Sequence, residues 1–263
     1  MTKTQLLDRI SGDPDQRLLL AKLLDKHQLC QERNVPACSA FLSPGEQALV
    51  QQLFAHLPQG TQRFFGGYAG AERRICAFLP PWMEAEDFEA QSPLCALTVA
   101  VPPMALLSHR DYLGALMGLG ITREKLGDIL PAEAGCQLVL LEDVLPILLD
   151  QWEKVGRYPI RLSPLPLKAL QLAPAETKLI RHTVASLRLD AVVGAGFSLS
   201  RGEAARMIQA GRVSLNHLPC DKTDRLVAEG DTISCRGLGK CVLTQVGGKS
   251  RKGRTVIELE RFV

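Results

Sequence analysis

Between Val184 and Gly211 two short apolar-periodic runs are separated by a strong helix-start signal, an arrangement that few folds accommodate. Val184, Leu187 and Ala191 fall on one helical face, and the spacing predicts a helix over 184–193 that ends at Gly194 and Gly196, where positive φ is cheap. Ser200-Arg201-Gly202-Glu203 then has capping-box form, in which the serine hydroxyl accepts the N3 amide hydrogen and the glutamate reaches back to the cap. Ala204, Ala205 and Ile208 form the buried stripe of the second helix, and Gly211 closes it. Two short helices meeting across a turn are expected.

Alternation replaces helical spacing after Gly211. Val213 and Leu215 point one way along a strand, Asn216-His217 opens a turn, and Glu229-Gly230-Asp231 makes another before a strand over 232–235. Residues 240–246 and 255–262 pair as a hairpin around the glycine-rich basic tip Gly247-Gly248-Lys249-Ser250-Arg251-Lys252-Gly253-Arg254. In these residues the chain resembles the S-four RNA-binding domain: Arg188-Leu189-Asp190, Ser200-Arg201 with Ala204 and Ile208, Gly211-Arg212-Val213 with Asn216, and Val227 with Gly230-Asp231 and Ile233 stand in the family's order and spacing. His217 departs from it, since many members have glycine there.

The resemblance implies that the helix pair and adjoining loop face an RNA backbone. The candidate RNA-binding residues are Arg188, Ser200, Arg201, Arg206, Arg212 and Asn216, joined by Lys249, Arg251, Lys252 and Arg254 of the hairpin. Guanidinium groups suit bidentate phosphate contact, and the start of the second helix offers amide hydrogens to an anion. Arg201 lies in the first turn of its helix, so its side chain can pass off the helix end. The bland alternative is that these arginines solubilise a small module, with Asp190 and Glu203 as their partners, and that the hairpin tip is a solvated turn. Phe197 is the module's single aromatic residue before the hairpin, so shape and phosphate recognition are favoured over reading of bases.

Charge points to the same part of the chain. The formal net charge is +3, but residues 181–263 hold 14 Lys/Arg against 8 Asp/Glu, while the remainder holds 17 against 20. A polyanionic partner is therefore sought in the last third. The eight cysteines include no C-x-x-C pair and stand mostly in apolar surroundings, which predicts buried free thiols. The five histidines do not stand at metal-ligand spacing, so no metal site and no cofactor is expected. The N-terminus has no apolar signal-peptide core, and the nearly uncharged run 94–107 is too short to span a bilayer. A cytoplasmic protein without membrane insertion is expected.

The first two thirds divide by pattern. Residues 1–72 read as a helical subdomain: Leu18, Leu19, Leu23 and Leu24 recur at helical spacing, and Ser43-Pro44-Gly45-Glu46 opens a second helix. Residues 73–166 read as an α/β domain of split-βαβ type, with strands over 75–79, 94–101, near 128–129, over 137–141 and over 158–162, and helices over 108–117 and 143–155. Pro164, Pro166 and Pro174 punctuate the next stretch, so 167–180 reads as a linker and 181–263 as the third domain. The expected fold class is α+β: helical subdomain, small α/β domain, and S-four domain.

The run Ser108-His109-Arg110-Asp111-Tyr112-Leu113-Gly114-Ala115-Leu116-Met117-Gly118-Leu119-Gly120-Ile121, continuing through Arg123-Glu124-Lys125 to Ile129, resembles the central motif of the bacterial YlmH proteins, which have this same domain order. A cyanobacterial and plastid branch carries a photosystem-related S-four name. The resemblance implies association with the large ribosomal subunit obstructed by peptidyl-tRNA, in quality control, with rRNA or tRNA as the ligand and no DNA. Ser108 and Asp111 have capping-box spacing, so Asp111 has a structural reading. His109 and Arg110 are the unusual pair, because cations at a helix N-terminus are disfavoured unless an anion binds. His109, Arg110, Asp111, Arg123 and Lys125 form a candidate second contact, with a purely structural role as the alternative.

Enzymatic readings find little support. His109-Arg110-Asp111 lacks the asparagine, D-F-G and glycine-rich loop of a kinase, Gly194-Ala195-Gly196 lacks the third glycine of a dinucleotide fingerprint, and no Walker A run occurs. S-four domains also accompany RNA-modifying enzymes, but the R-L-D at 188–190 belongs to the S-four match itself, and no glycine-rich methyl-donor loop or synthetase signature is present. No catalytic residues are assigned. The competing classes are an RNA-modifying enzyme and a photosystem or membrane assembly factor acting through protein contacts. A monomer is expected.

Overall fold

In a computed structural model, residues 2–57, 62–132, 134–172 and 176–262 are described. The chain forms two compact units, Met1–Ala173 and Pro174–Val263. Among the described residues no helix is long and apolar enough to cross a membrane.

The first unit opens with α1 (Lys3–Ile10) and α2 (Pro14–Arg33), started by the side-chain caps Thr2 and Asp13. Leu20, Leu23, His27 and Cys30 bury one stripe of α2, whereas Leu18 is 55% exposed. The buried face thus lies slightly around the helix from the one predicted. Asn34, at φ 54°, ends α2, and β1 (Ala37–Leu42) follows. Ser43-Pro44-Gly45-Glu46 opens α3 (Pro44–Phe54) as expected, and in the structure Ser43 and Glu46 form a capping box there.

Next come β2 (Gln62–Phe65) and β3 (Arg74–Phe78), and the three strands pair antiparallel in the order β1-β3-β2. The expected division at residue 72 falls within this sheet. The apolar run assigned to the α/β layer pairs instead with strands from the supposedly helical segment, because Ile75, Cys76, Ala77 and Phe78 are all fully buried between layers.

After α4 (Ala85–Ala90), the order β4 (Leu94–Ala100), α5 (His109–Gly118), β5 (Leu126–Ala132), β6 (Gly135–Leu141), α6 (Leu145–Gln151) leads through the short pair β7 (Lys154–Val155) and β8 (Tyr158–Pro159) to β9 (Arg161–Leu165). The antiparallel sheet has order β5-β6-β4-β9, so β6 lies between the two strands that α5 connects. This is the split βαβ arrangement. Tyr112 and Leu116 of α5 and Leu148 of α6 pack on Leu97, Val99, Leu138 and Leu140 of the sheet.

One carboxylate joins the two sheets. Asp128 of β5 accepts hydrogen bonds from the Tyr68 hydroxyl at 2.7 Å and from the backbone amides of Glu72 at 2.7 Å and Arg73 at 3.0 Å. The buried Arg73 guanidinium continues the network to the carbonyls of Leu126, Arg123 and Phe41. Burial, with the Asp128 hydrogen bond and charge, pushes the Tyr68 phenol well above its ordinary range.

The second unit consists of β10 (Thr177–Val184), α7 (Leu189–Phe197), α8 (Arg201–Gln209), β11 (Val213–Leu215), β12 (Leu218–Pro219), β13 (Thr232–Cys235), β14 (Gly239–Lys249) and β15 (Thr255–Phe262). Its antiparallel sheet has order β10-β15-β14-β13-β11-β12. Leu189, Val192, Val193, Phe197, Ala204 and Ile208 of the helices close a core against Ile233, Cys241, Leu243, Ile257 and Leu259 of the sheet.

Two expectations are corrected here. Part of the expected linker, from Thr177 onward, is strand β10, paired with β15 over its full length; Pro174 lies outside the described residues. The first helix starts at Leu189 and runs through Gly194 and Gly196 to Phe197, and the left-handed residue that ends it is Ser198, at φ 57°. Gly196 is required by close packing: a Cβ there would lie 2.9 Å from Cys241 Sγ and 3.5 Å from a Leu259 methyl. Gly196→Val should therefore cost about 1–3 kcal/mol through overpacking. In urea melts, adding Cys241→Ala should restore part of that loss.

Candidate nucleic-acid interface

The start of α7 is tied to the segment before β13. Leu189 and Asp190 donate their amide hydrogens to the carbonyls of Arg225, at 2.7 Å, and Thr223, at 3.1 Å. This places the Asp190 carboxylate, 6% exposed, beside two guanidiniums. Arg188 approaches it through Nε at 3.3 Å and Nη2 at 3.4 Å, and Arg201 through Nε at 3.0 Å. Arg201, at the first position of α8, thus passes off the helix end as expected and bridges the two helices.

The Arg188 and Arg201 side chains remain 36% and 60% exposed, and the remaining terminal nitrogens of both have no hydrogen bond among the described residues. Three unit charges sum locally to +1, with unengaged guanidinium edges available to solvent. Burial alone would raise the Asp190 pKa; the hydrogen bonds from Arg201 and Arg188, and their charges, outweigh it and hold the carboxyl below its ordinary range.

The other candidates separate into engaged and open groups. Ser200 forms the predicted capping box: its amide and hydroxyl donate to Glu203 Oε2 at 2.9 and 2.6 Å, and its hydroxyl accepts the Glu203 amide hydrogen. A carboxylate thus already occupies the helix start expected to receive an anion. Asn216, at φ 49°, donates Nδ2–H to Asp231 at 2.7 Å and accepts the Thr232 amide hydrogen at 2.9 Å, so both ends of its amide hold the turn rather than facing outward.

Arg212 donates one Nη to the Arg236 carbonyl at 3.2 Å, and Arg206 is exposed on α8. In the hairpin, Lys249 donates to Thr255 Oγ1 at 3.0 Å and Arg254 folds back to the Thr183 carbonyl at 2.6 Å. Arg251 and Lys252 are exposed at its tip, with no hydrogen bond among the described residues. His182, missed in the sequence, lines a groove together with Arg201 and Arg254. The alternation of Ile180, His182 and Val184 was its available signal.

In the first unit the N-terminus of α5 carries the predicted capping box, with Asp111 accepting from both the Ser108 amide and hydroxyl at 2.7 Å. Burial and the Arg123 charge lower the His109 pKa, favouring the neutral imidazole that a helix start tolerates. Arg110 is exposed beside it. Lys125 is ion-paired with Asp143, and Arg123 lies half-buried near Asp128, with burial lowering its pKa. Of this group, His109, Arg110 and Asp111 are exposed, with Asp111 engaged in the cap. Among the described residues no cluster of three or more His, Cys, Asp or Glu is placed to hold a metal ion.

A capped helix pair on an antiparallel sheet, with paired guanidiniums at its exposed edge, defines an S-four type RNA-binding module. Comparison with known proteins agrees: the family model "S4 domain" matches residues 187–233, and "Putative RNA-binding domain in YlmH" matches residues 84–169. Ribosome-associated protein quality control protein P2 of Bacillus subtilis (strain 168) is 32% identical over 250 residues, covering 94% of this chain and 95% of its own. A solved structure of cell division protein ylmH from Streptococcus pneumoniae is 21% identical, with a TM-score of 0.48, and covers 60% of this chain and 95% of its own. The chain belongs to the YlmH-like family of S-four-domain RNA-binding proteins.

A depressed carboxylate pKa means stability that is present above the unfolded-state value, ~3.9, and lost as pH falls through the lower folded-state value. Asp190→Asn should therefore lower the stability of the second unit at neutral pH by about 1–2 kcal/mol, allowing for solvent screening of the exposed arginines. The difference from wild type should close as the medium is acidified below ~3.9, which thermal melts across pH will read.

Proposed function

We propose that this protein is a non-enzymatic, cytoplasmic RNA-binding factor that associates with the large ribosomal subunit and grips structured rRNA or tRNA through its S-four domain. Its role is quality control on subunits that carry peptidyl-tRNA. The observation that carries the reading is the Arg188–Asp190–Arg201 cluster, which holds two guanidinium groups side by side with outer donors directed to solvent. Such an edge suits phosphate oxygens, and the positive balance of residues 181–263 adds a sequence-independent attraction to polyanions. The name of the Bacillus subtilis relative supports the ribosomal assignment, and the match to an RNA-binding domain in YlmH supports a role for residues 84–169.

Arg206, Arg212, Arg251, Lys252 and Arg254 extend the contact, whereas Ser200 and Asn216 shape the surface without touching RNA. His109 and Arg110 supply a second contact from the α/β domain. We assign three functional regions, the N-terminal helices with their small sheet, the split-βαβ domain and the S-four domain, and a monomeric chain.

Arg201→Ala combined with Arg212→Ala, which leaves Arg188 paired with Asp190, should reduce cosedimentation with large ribosomal subunits by at least about tenfold, two lost charged contacts at ~1.5–3 kcal/mol each being ample. It should also flatten the dependence of log affinity on log salt by ~1.4–1.8, at ~0.7–0.9 per phosphate. Undiminished cosedimentation of a folded double variant contradicts the reading.

A further inference from the structure

The second unit contains a groove of ≈ 490 Å³ between β10 and α7. This lies within the ~300–1,000 Å³ usual for ligand sites. The larger part of it belongs to the S-four match over 187–233; the rest, from β10, the residue after it and the turn between β14 and β15, lies outside that match. Its chemistry is two-sided. The walls are small or aliphatic apart from one imidazole: Ile180, His182 and Val184 line the groove from β10, and Ala191, Gly194 and Ala195 leave the opposing flank of α7 bare. Across the mouth stand Arg201 and Arg254, which come from elements 53 positions apart in the sequence.

Each of these arginines is fixed by a single acceptor. Arg201 Nε donates to Asp190, and Arg254 Nη2 donates to the Thr183 carbonyl. The other nitrogens of both guanidiniums have no hydrogen bond among the described residues. Asp190, the acidic residue lining the groove, is already neutralised by Arg188 and Arg201.

We propose that this groove receives one unpaired nucleotide of the bound RNA, its base against the aliphatic walls and its phosphate between Arg201 and Arg254. An unpaired nucleotide is the part of an RNA with one flat apolar half and one anionic half, which is the complement of this groove. A base-paired nucleotide has its faces covered by neighbouring bases and cannot enter. The inference rests on the RNA-binding reading above and adds a structural requirement in the RNA: a bulge or loop beside the duplex held by the helix pair.

The test compares a hairpin RNA carrying a one-nucleotide bulge with the same hairpin fully paired, titrated into the full-length protein at ~0.15 M salt. Wild type should bind the bulged RNA about tenfold more tightly, as insertion of one base implies. Ala191→Phe, which fills the groove, should bring the two affinities together while leaving the paired RNA bound as before. Arg254→Ala, on an exposed turn, should reduce the preference for the bulge even if the phenylalanine variant fails to fold. Millimolar AMP should not displace the bulged RNA; displacement would mean a site for free nucleotides and would overturn the assignment to an RNA strand. Equal wild-type binding of both RNAs overturns the groove assignment alone, whereas binding of neither overturns the RNA-binding reading with it.

Discussion

A buried carboxylate between two guanidiniums is the constraint on which the second unit's surface depends. Asp190 is almost fully enclosed, and an enclosed charge without partners would cost more than a small domain can offset. Arg188 supplies one partner from the residue that precedes α7, and Arg201 the other from the first turn of α8. The carboxylate therefore fixes the approach of the two helices as well as the direction of both side chains. Satisfying the buried acid requires only part of each guanidinium, and the rest faces outward. Stability and recognition are thus served by different edges of the same groups.

The local signals were legible in the sequence. Both capping boxes read from the sequence, at Ser108–Asp111 and Ser200–Glu203, form where their spacing placed them, because each involves four consecutive residues and little else. The split-βαβ order was also legible, since its strands are apolar runs separated by helices of ordinary length. Strands β1, β2 and β10 were not. Their pairing partners lie elsewhere in the chain, and only β10 carries even a short alternation, at Ile180, His182 and Val184.

Gly194 and Gly196 were misread for a related reason. Glycine serves both where φ is positive and where backbone must approach another element, and the sequence is the same in either case. Cys241, 45 residues beyond Gly196, decides which one applies. The candidate site divides along the same line. Arg188, Arg201 and Arg206 were singled out as candidates by the S-four resemblance together with their place around predicted helices. Non-local bonds determine that Asn216 serves its turn and that Arg254 joins the groove of Arg201.

In the first unit, Asp128 plays a comparable organising part, receiving a phenol and two backbone amides where the split-βαβ sheet meets the smaller one. Nearby, α5 presents His109 and Arg110 at a start already capped by Asp111. The central claim is that RNA lies on the arginine-bearing edge of the S-four helix pair. Photocrosslinking of RNA to the full-length protein, with the attached peptides read by mass spectrometry, tests it most directly. The account predicts crosslinks concentrated in 188–212 and 249–254, with a weaker set near 109–110. Crosslinks absent from 188–212, or spread evenly over the first unit, would contradict it.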